Sequence, residues 1–234
     1  MPDHMDIVSD QSHASLVLIH VSFLLVRHPK VMEKLKMEIQ STFAQRTDMR
    51  RSDLRSMTYL QNVLKESRSA ILYDRVSLTF GEALRLYPSV PVNTRTAVRN
   101  TFLPVGGGPD LQSPVFIPKG AAVAYSVYAM HRRPDFYGMD AELYRPERWD
   151  EQMPIKGDPI NASWGYLPFN GGPRVCLGMD FGLTEAAYTV VRLLHEFPDL
   201  SLPVGEKIEL LGVEKQTMTL VMSSTDGCRV NLGA

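Results

Sequence analysis

Cysteine is nearly absent from this chain, with two in 234 residues, Cys176 and Cys228. A pair so far apart builds no disulfide framework, and a reducing, intracellular setting fits it best. An excess of charge of one sign is also missing. Lys and Arg total 25 against 26 Asp and Glu, a net charge of -1, so nothing calls for a nucleic-acid partner. No apolar run is long enough to cross a bilayer. The longest near the start, Ala14 to Val26, is short and carries His20. No basic stretch precedes it, so it reads as a buried core helix and not as a signal peptide. Internal repeats and low-complexity blocks are lacking too. What is present is ordinary for a folded protein of one or two domains: 44% hydrophobic residues and 22% charged ones.

The hydrophobic pattern predicts mainly helix with small β-sheets. Residues 1–11 are polar and unpatterned, and Ser12 is placed to cap the helix that follows. Leu16, Ile19, Phe23 and Val26 recur at helical spacing until His28-Pro29. A second helix starts near Pro29 with the stripe Val31, Leu35, Met37 and Ile39. After a polar loop from Ala44 to Ser52, a short helix runs through Glu66. Helical pattern resumes at EALRLYP, Glu82 to Pro88. Val90 to Val98 reads as a strand and Leu103 to Asp110 as a turn-rich loop. Val115–Ile117 and Ala121–Tyr125 flank the turn Pro118-Lys119-Gly120 like the arms of a hairpin. Val127 to His131 fits a short helix, and 132–170 is an irregular, Gly/Pro-rich segment. Met179 to Phe197 is the clearest helix, with Leu183, Ala186, Ala187, Val190, Val191 and Leu194 on one face. The alternation at Met218, Leu220 and Met222 suggests a final hairpin.

The stretch with chemistry is PFNGGPRVCLGMDFG, Pro168 to Gly182. Glycines 171, 172 and 178 let backbone turn tightly or approach a flat ligand. Arg174 sets a cation near Cys176, and a helix starts just after it, a position that favours a thiolate. A thiolate is a soft ligand for iron or zinc. No second cysteine or histidine stands at ligand spacing, which argues against a four-residue zinc site. A metal here draws most of its ligands from a cofactor, as haem provides. On chemistry alone a purely structural cysteine stays open.

The stretch FNGGPRVCLG, with Phe169, Gly172, Arg174, Cys176 and Gly178, closely resembles the signature of the cytochrome P-450 family of haem-thiolate monooxygenases. Glu82 and Arg85 in EALR match that family's Glu-x-x-Arg helix. Arg148 in RPERW matches the arginine that completes a Glu-Arg-Arg network with them. The resemblance implies the C-terminal part of that fold, with haem b bound and Cys176 as the proximal iron ligand. Thiolate donation then favours O–O cleavage, for which these enzymes are the usual example. It also implies Arg174 and Arg95 on the haem propionates, Phe169 packed beside the thiolate, and His131 near the haem. The wider run VPVNTRTAVRNTFLPVGGGPD looks like fungal enzymes that hydroxylate n-alkanes and fatty acids. Such enzymes sit in the endoplasmic reticulum membrane, take electrons from an NADPH-dependent reductase and act on hydrophobic small molecules. The GGGPD loop lacks the Lys-Ser/Thr pair and frame of a phosphate cradle. Lys34 and Lys36 suit either a reductase surface or an ordinary solvated helix face.

Two departures from the family shape the expectation for this chain. Residues 1–234 read as one C-terminal piece, without the family's membrane anchor or distal substrate loops. At the oxygen-activating helix, Ser9, Gln11 and Ser12-His13 stand where the family carries a glycine, an acid and a threonine pair. In addition, Ser67 to Glu82 interrupts the Glu-x-x-Arg helix, as an insertion or a translated intron. Deleting it restores KEALRLYP, so Glu66 and Glu82 compete for one role. Two readings follow: a membrane-bound monooxygenase, or a catalytically inactive haem-domain fragment from a faulty gene model.

Overall fold

The computed structural model describes residues 4–7, 13–43, 48–63, 81–206, 208, 215–219, 221–225 and 227–233. Strand β1 (His4–Ile7) leads to helix α1 (His13–Arg27), which His28 and Pro29 separate from α2 (Pro29–Phe43). Residues Leu16 to Val26 of α1 are buried or nearly so on every side, as a helix apolar all round must be. α2 is amphipathic and buries Val31, Met32, Leu35, Ile39 and Phe43. Met37 leaves the expected stripe. It stands two residues from both Leu35 and Ile39, on the opposite face, and is 53% exposed.

Short helices α3 (Arg51–Ser56) and α4 (Thr58–Val63) come next, then α5 (Glu82–Leu86). Arg51 and Ser52 are therefore helix where loop was expected. The end of the helix expected through Glu66 lies outside the described residues.

The central strands depart from expectation in their pairing. β2 (Val92–Thr96), β3 (Thr101–Gly107), β4 (Ser113–Ile117) and β5 (Ala122–Ser126) form two antiparallel ribbons, β2 with β5 and β3 with β4. The Pro118–Gly120 turn joins the ribbons and is not the tip of a hairpin. The hairpin tip is the loop at Gly108–Gln112, so Leu103 to Gly107, expected as loop, is strand. Gly106 and Gly108 have positive φ, which allows β3 to bulge and turn back. Local turn signals marked both sites, and only long-range pairing chooses between them.

The segment 132–170 is irregular in outline but built of short helical turns. These are α7 (Pro134–Tyr137), after α6 (Val127–Met130), two 3-10 turns at Pro146–Asp150 and Pro154–Gly157, and α8 (Pro159–Trp164). Each of the last four opens on a proline, whose fixed φ suits a first helical position. Their apolar side chains, Phe136, Tyr137, Trp149, Met153, Ile155 and Tyr166, make a small second core.

After a 3-10 turn at Gly172–Arg174, α9 (Met179–Glu196) carries the expected apolar face against α1 and α2. β6 (Gln216–Met218) and β7 (Met222–Ser224) form the expected final hairpin. β8 (Cys228–Asn231) pairs with β1, so the polar first residues hold a strand. Cys228 is buried there, and burial pushes its thiol up to about 12, which makes it inert at neutral pH.

Candidate functional site

Two features meet on one side of this fold, a fully buried charge network and an open cysteine loop. In α5, Glu82 and Arg85 lie one turn apart and share a face. Arg85 donates through Nε to Glu82 Oε2 at 2.9 Å and through Nη2 to Oε1 at 2.8 Å. Arg148, from the 3-10 turn at Pro146–Asp150, donates Nε to the same Oε1 at 2.7 Å. The backbone N–H of Arg145 adds a fourth bond at 3.0 Å. All three side chains are fully buried.

The guanidinium groups spend their other donors on carbonyls of the irregular segment. Arg85 Nη1 reaches the carbonyls of His131 and Ala141 at 2.8 and 2.5 Å. Arg148 reaches those of Tyr137, Asp140 and Leu143, and the Asp140 carboxylate at 3.1 Å. Arg145 bridges Asp140 and Glu151 at the rim. Three carboxylates thus balance three guanidiniums, and the buried charges are both neutralised and hydrogen-bonded.

His131 links this network to the cysteine loop. Its ring is fully buried, with Nδ1 3.2 Å from the Arg85 carbonyl and Nε2 accepting the Leu167 N–H at 2.9 Å. An acceptor at Nε2 places the proton on Nδ1, which then donates to Arg85. Both ring nitrogens are therefore taken by backbone. His131 does not stand on the open surface with Cys176, as its expected place near haem would require. It holds Leu167, at the start of the loop.

The loop itself folds through specific turns. The Cys176 N–H donates to the Phe169 carbonyl at 2.9 Å, and the Asn170 N–H to that of Leu167 at 3.1 Å. Asn170 has a φ of 65°, a left-handed conformation that asparagine tolerates better than most residues. Its Oδ1 accepts from Gly171 N at 2.9 Å and from the Tyr125 hydroxyl at 2.8 Å, while Nδ2 donates to Asn93 Oδ1 at 3.3 Å. Gly172 has a φ of 62°, where a Cβ is strained. At α9, Asp180 in the first turn pairs with Arg51 and, at 3.2 Å, with Arg55 of α3. These bonds hold its carboxyl below the usual carboxylate range.

Sequence-predicted residues thus fall in three places. Phe169, Gly172, Arg174, Cys176 and Gly178 share the loop, with Cys176, Arg174 and Gly178 exposed and Phe169 partly buried against the main core. Arg95 is exposed on β2, its guanidinium 5.7 Å from the Tyr125 ring centroid. Tyr125 therefore touches Arg95 with its ring and the loop with its hydroxyl. Glu82, Arg85 and Arg148 lie behind, joined to the loop by His131. Ser9, Gln11, Ser12 and Glu66 lie outside the described residues, as does the side chain of His13. Asn170, Tyr125 and Asn93 were not singled out from the sequence. The one local signal was an asparagine before two glycines, which marks a turn. Lys34 pairs with Glu147 at 2.5 Å, which ties α2 to the 3-10 turn at Pro146–Asp150.

Among the described residues, no group of three His, Cys, Asp or Glu could hold a metal ion. A metal on the Cys176 sulfur must bring its other ligands with it. Leu177 beside it is 102% exposed, and Val175 and Phe181 are exposed as well. A soft sulfur, an apolar rim and the exposed arginines Arg95 and Arg174 fit an iron porphyrin with acidic side chains.

Residues 14–68 and 76–220 match the family model for Cytochrome P450. A cytochrome P450 of Arthroderma benhamiae is 46% identical over 218 residues, covering 89% of this chain and 38% of that protein. Cytochrome P450 52A6 of Candida tropicalis is 42% identical over 216 residues, 92% of this chain and 37% of that protein. Cytochrome P450 52A13 of Debaryomyces hansenii is 46% identical over 185 residues, 77% of this chain and 31% of that protein. The chain spans under two fifths of the length of these curated relatives.

The buried histidines give the fold a measurable pH dependence. Burial holds His20 at about 4 and, with the Arg85 charge adding to it, His131 at about 3. An unfolded histidine titrates near ~6.5. Stability is therefore complete above that pH and is lost as pH falls toward the folded values, because only the unfolded chain takes up these protons. Each histidine contributes up to about 1.4 kcal/mol per pH unit. Carboxylates such as Asp180 join only below about 4.5. The thermal midpoint is expected to fall steadily between about pH 6.5 and pH 4.5, with a shallower slope in the His131→Gln protein. A midpoint flat across that window, or an unchanged slope in the variant, contradicts the assignment of neutral buried rings.

Proposed function

The chain belongs to the cytochrome P450 family, and from that premise we propose that it is the haem-binding C-terminal portion of a monooxygenase, with Cys176 as the iron ligand. The observation that carries this reading is the open sulfur of Cys176 at the head of α9, rimmed by exposed apolar residues, with no group of three His, Cys, Asp or Glu among the described residues that could hold a metal ion. When bound, haem b supplies oxygen activation, with electrons that reach it from NADPH through a reductase.

The chain's own residues bind and orient. Cys176 donates the sulfur, and the Phe169 carbonyl holds its backbone in place. Arg95 and Arg174 pair with propionates, for which a guanidinium fork is suited. With haem bound, Phe169 would pack beside the sulfur and limit water there. Gly172 supplies the left-handed turn, with a φ of 62°. Glu82, Arg85 and Arg148 act through His131 as positioning residues.

The resemblance of the run VPVNTRTAVRNTFLPVGGGPD to fungal enzymes that hydroxylate n-alkanes and fatty acids supports a hydrophobic substrate of that class, a microsomal reductase partner and an endoplasmic reticulum membrane location. No described helix is long and apolar enough to cross a membrane. A second reading has its own support. The exposure of Cys176 and of its neighbour Leu177 fits a haem domain without turnover. A sulfur open to water lacks the dry, preorganised setting on which such chemistry depends.

We further place an insertion at residues 67–82 within a single P450 domain. The family match stops at 68 and resumes at 76, so it breaks inside this range at 69–75 while still covering 76–82. Removing 67–82 sets Glu66 three positions before Arg85 in one continuous helix, the place Glu82 holds now.

Two experiments test these readings. In the carbon monoxide difference spectrum of the reduced protein, a band at the haem-thiolate position is expected, and it should vanish in Cys176→Ser while far-ultraviolet dichroism stays unchanged. Failure to take up haem, or a band that survives the substitution, refutes Cys176 ligation. For the insertion, the chain lacking 67–82 is expected to melt at a temperature no lower than the parent, since a shorter connection between α4 and Arg85 costs less chain entropy to close. A deletion protein that is unfolded where the parent folds rejects it.

A further inference from the structure

The Arg95 cation and the Cys176 sulfur belong to different elements, so their spacing depends on what ties those elements together. Arg174 stands two residues from Cys176, and its reach is set within the loop itself. Arg95 comes from β2. Among the described residues, two side-chain hydrogen bonds join the β2–β5 ribbon to the loop, and both end on Asn170. In the ribbon Asn93 lies opposite Tyr125, and Arg95 opposite Val123. Side chains alternate along a strand, so Asn93, Arg95 and Tyr125 share one face, the face that meets Asn170. Tyr125 touches both sides of the junction. Its hydroxyl donates to Asn170 Oδ1 at 2.8 Å, and its half-buried ring stands diagonally across from the exposed Arg95, 5.7 Å from the guanidinium carbon. Arg95 Nη1 also donates to the Thr94 carbonyl at 2.8 Å, a bond to its own neighbour that fixes nothing relative to the loop.

We infer that Tyr125 is a positioning residue that holds the Arg95 cation at a set reach from the Cys176 sulfur, so that this face selects a metal ligand carrying a free carboxylate at that reach. The inference rests on the haem reading above. Asn170 directly follows Phe169, whose carbonyl takes the Cys176 N–H, so the tie meets the loop beside the cysteine's own anchor. Asn170 is held in the left-handed region, and its Oδ1 also takes the Gly171 N–H, so releasing its side chain loosens the turn. A guanidinium held in advance loses less side-chain entropy when it pairs with a carboxylate. Haem with free propionates is such a ligand. Its dimethyl ester offers the same iron and the same ring, with no charge for Arg95 to meet. Tyr125 thereby acts on the choice between the two, whereas a side chain that only packs would weaken both alike.

The test is spectrophotometric titration of the full chain with iron protoporphyrin IX and with its dimethyl ester, read as the ratio of the two affinities. The parent is expected to favour the free acid by about tenfold or more. Tyr125→Leu is expected to cut that ratio by about two- to fivefold. In a chain that already carries Arg95→Leu it should cut the ratio no further, since the two residues act as one. Should Tyr125→Leu misfold, Tyr125→Phe serves instead. It keeps the ring and releases Asn170, so the ratio falls and the Gly171 amide exchanges about two- to tenfold faster in the haem-free chain. A parent that binds both compounds equally, a ratio unchanged in the Tyr125 variants, or an additive effect on top of Arg95→Leu overturns the inference and leaves the haem reading standing. A parent that takes up neither compound refutes the haem reading, and this inference with it.

Discussion

One carboxylate holds the carboxyl-terminal region of this fold in register. Glu82 is enclosed between the guanidinium groups of Arg85 and Arg148, with no side chain of the three reaching water. Burying such charges is costly, and removing one partner of a buried pair costs about 3–5 kcal/mol. The arrangement persists because every donor has an acceptor. Four hydrogen bonds converge on Glu82, and the arginines' remaining N–H groups meet carbonyls between His131 and Leu143. A segment with little regular structure of its own thereby gains a fixed course. Its short helices could not supply this, being too brief to stand alone.

The cysteine loop inherits its position from that network. His131 takes the Arg85 carbonyl on one side and the Leu167 N–H on the other, so α5 and the loop share a rigid neutral imidazole. A second set of ties comes from the sheet. Asn170 joins the loop to Asn93 and Tyr125 of the β2–β5 ribbon, on which Arg95 is carried. A third comes from α3, whose Arg51 and Arg55 grip Asp180 just past Cys176. The sulfur is exposed, yet the backbone that presents it is fastened to three separate elements. Preorganisation of this kind is what a metal ligand needs, since a flexible loop would lose entropy on each binding event.

Much of this was legible in the sequence where chemistry repeats at short range. The apolar face of α9, the break at His28-Pro29 and the Glu-x-x-Arg spacing all sit within a few residues. Arg148 was found through a motif, since nothing local tells a buried arginine from a solvated one. Strand pairing was not legible. Turn signals stood at both Gly106–Asp110 and Pro118–Gly120, and the choice between them depends on which ribbon docks where. Met37 entered the predicted stripe because methionine is apolar, although its angle on α2 points it to solvent. His131 was expected near the haem from the family resemblance of the stretch that carries it. Its burial and its two backbone partners are set by residues thirty-six and forty-six positions away. Tyr125 and Asn170 were missed for the same reason, as their roles exist only once β5 and the loop meet.

The claim on which the rest depends is that the Glu82 charge network sets the cysteine loop through His131. Residue-by-residue hydrogen exchange in the parent and in Glu82→Gln tests it most directly. The account predicts that the Leu167 and Cys176 amides are protected in the parent and that both lose protection in the variant, together with the segment around Ala141 and Leu143. Faster exchange confined to that segment, with Leu167 and Cys176 unchanged, would contradict it.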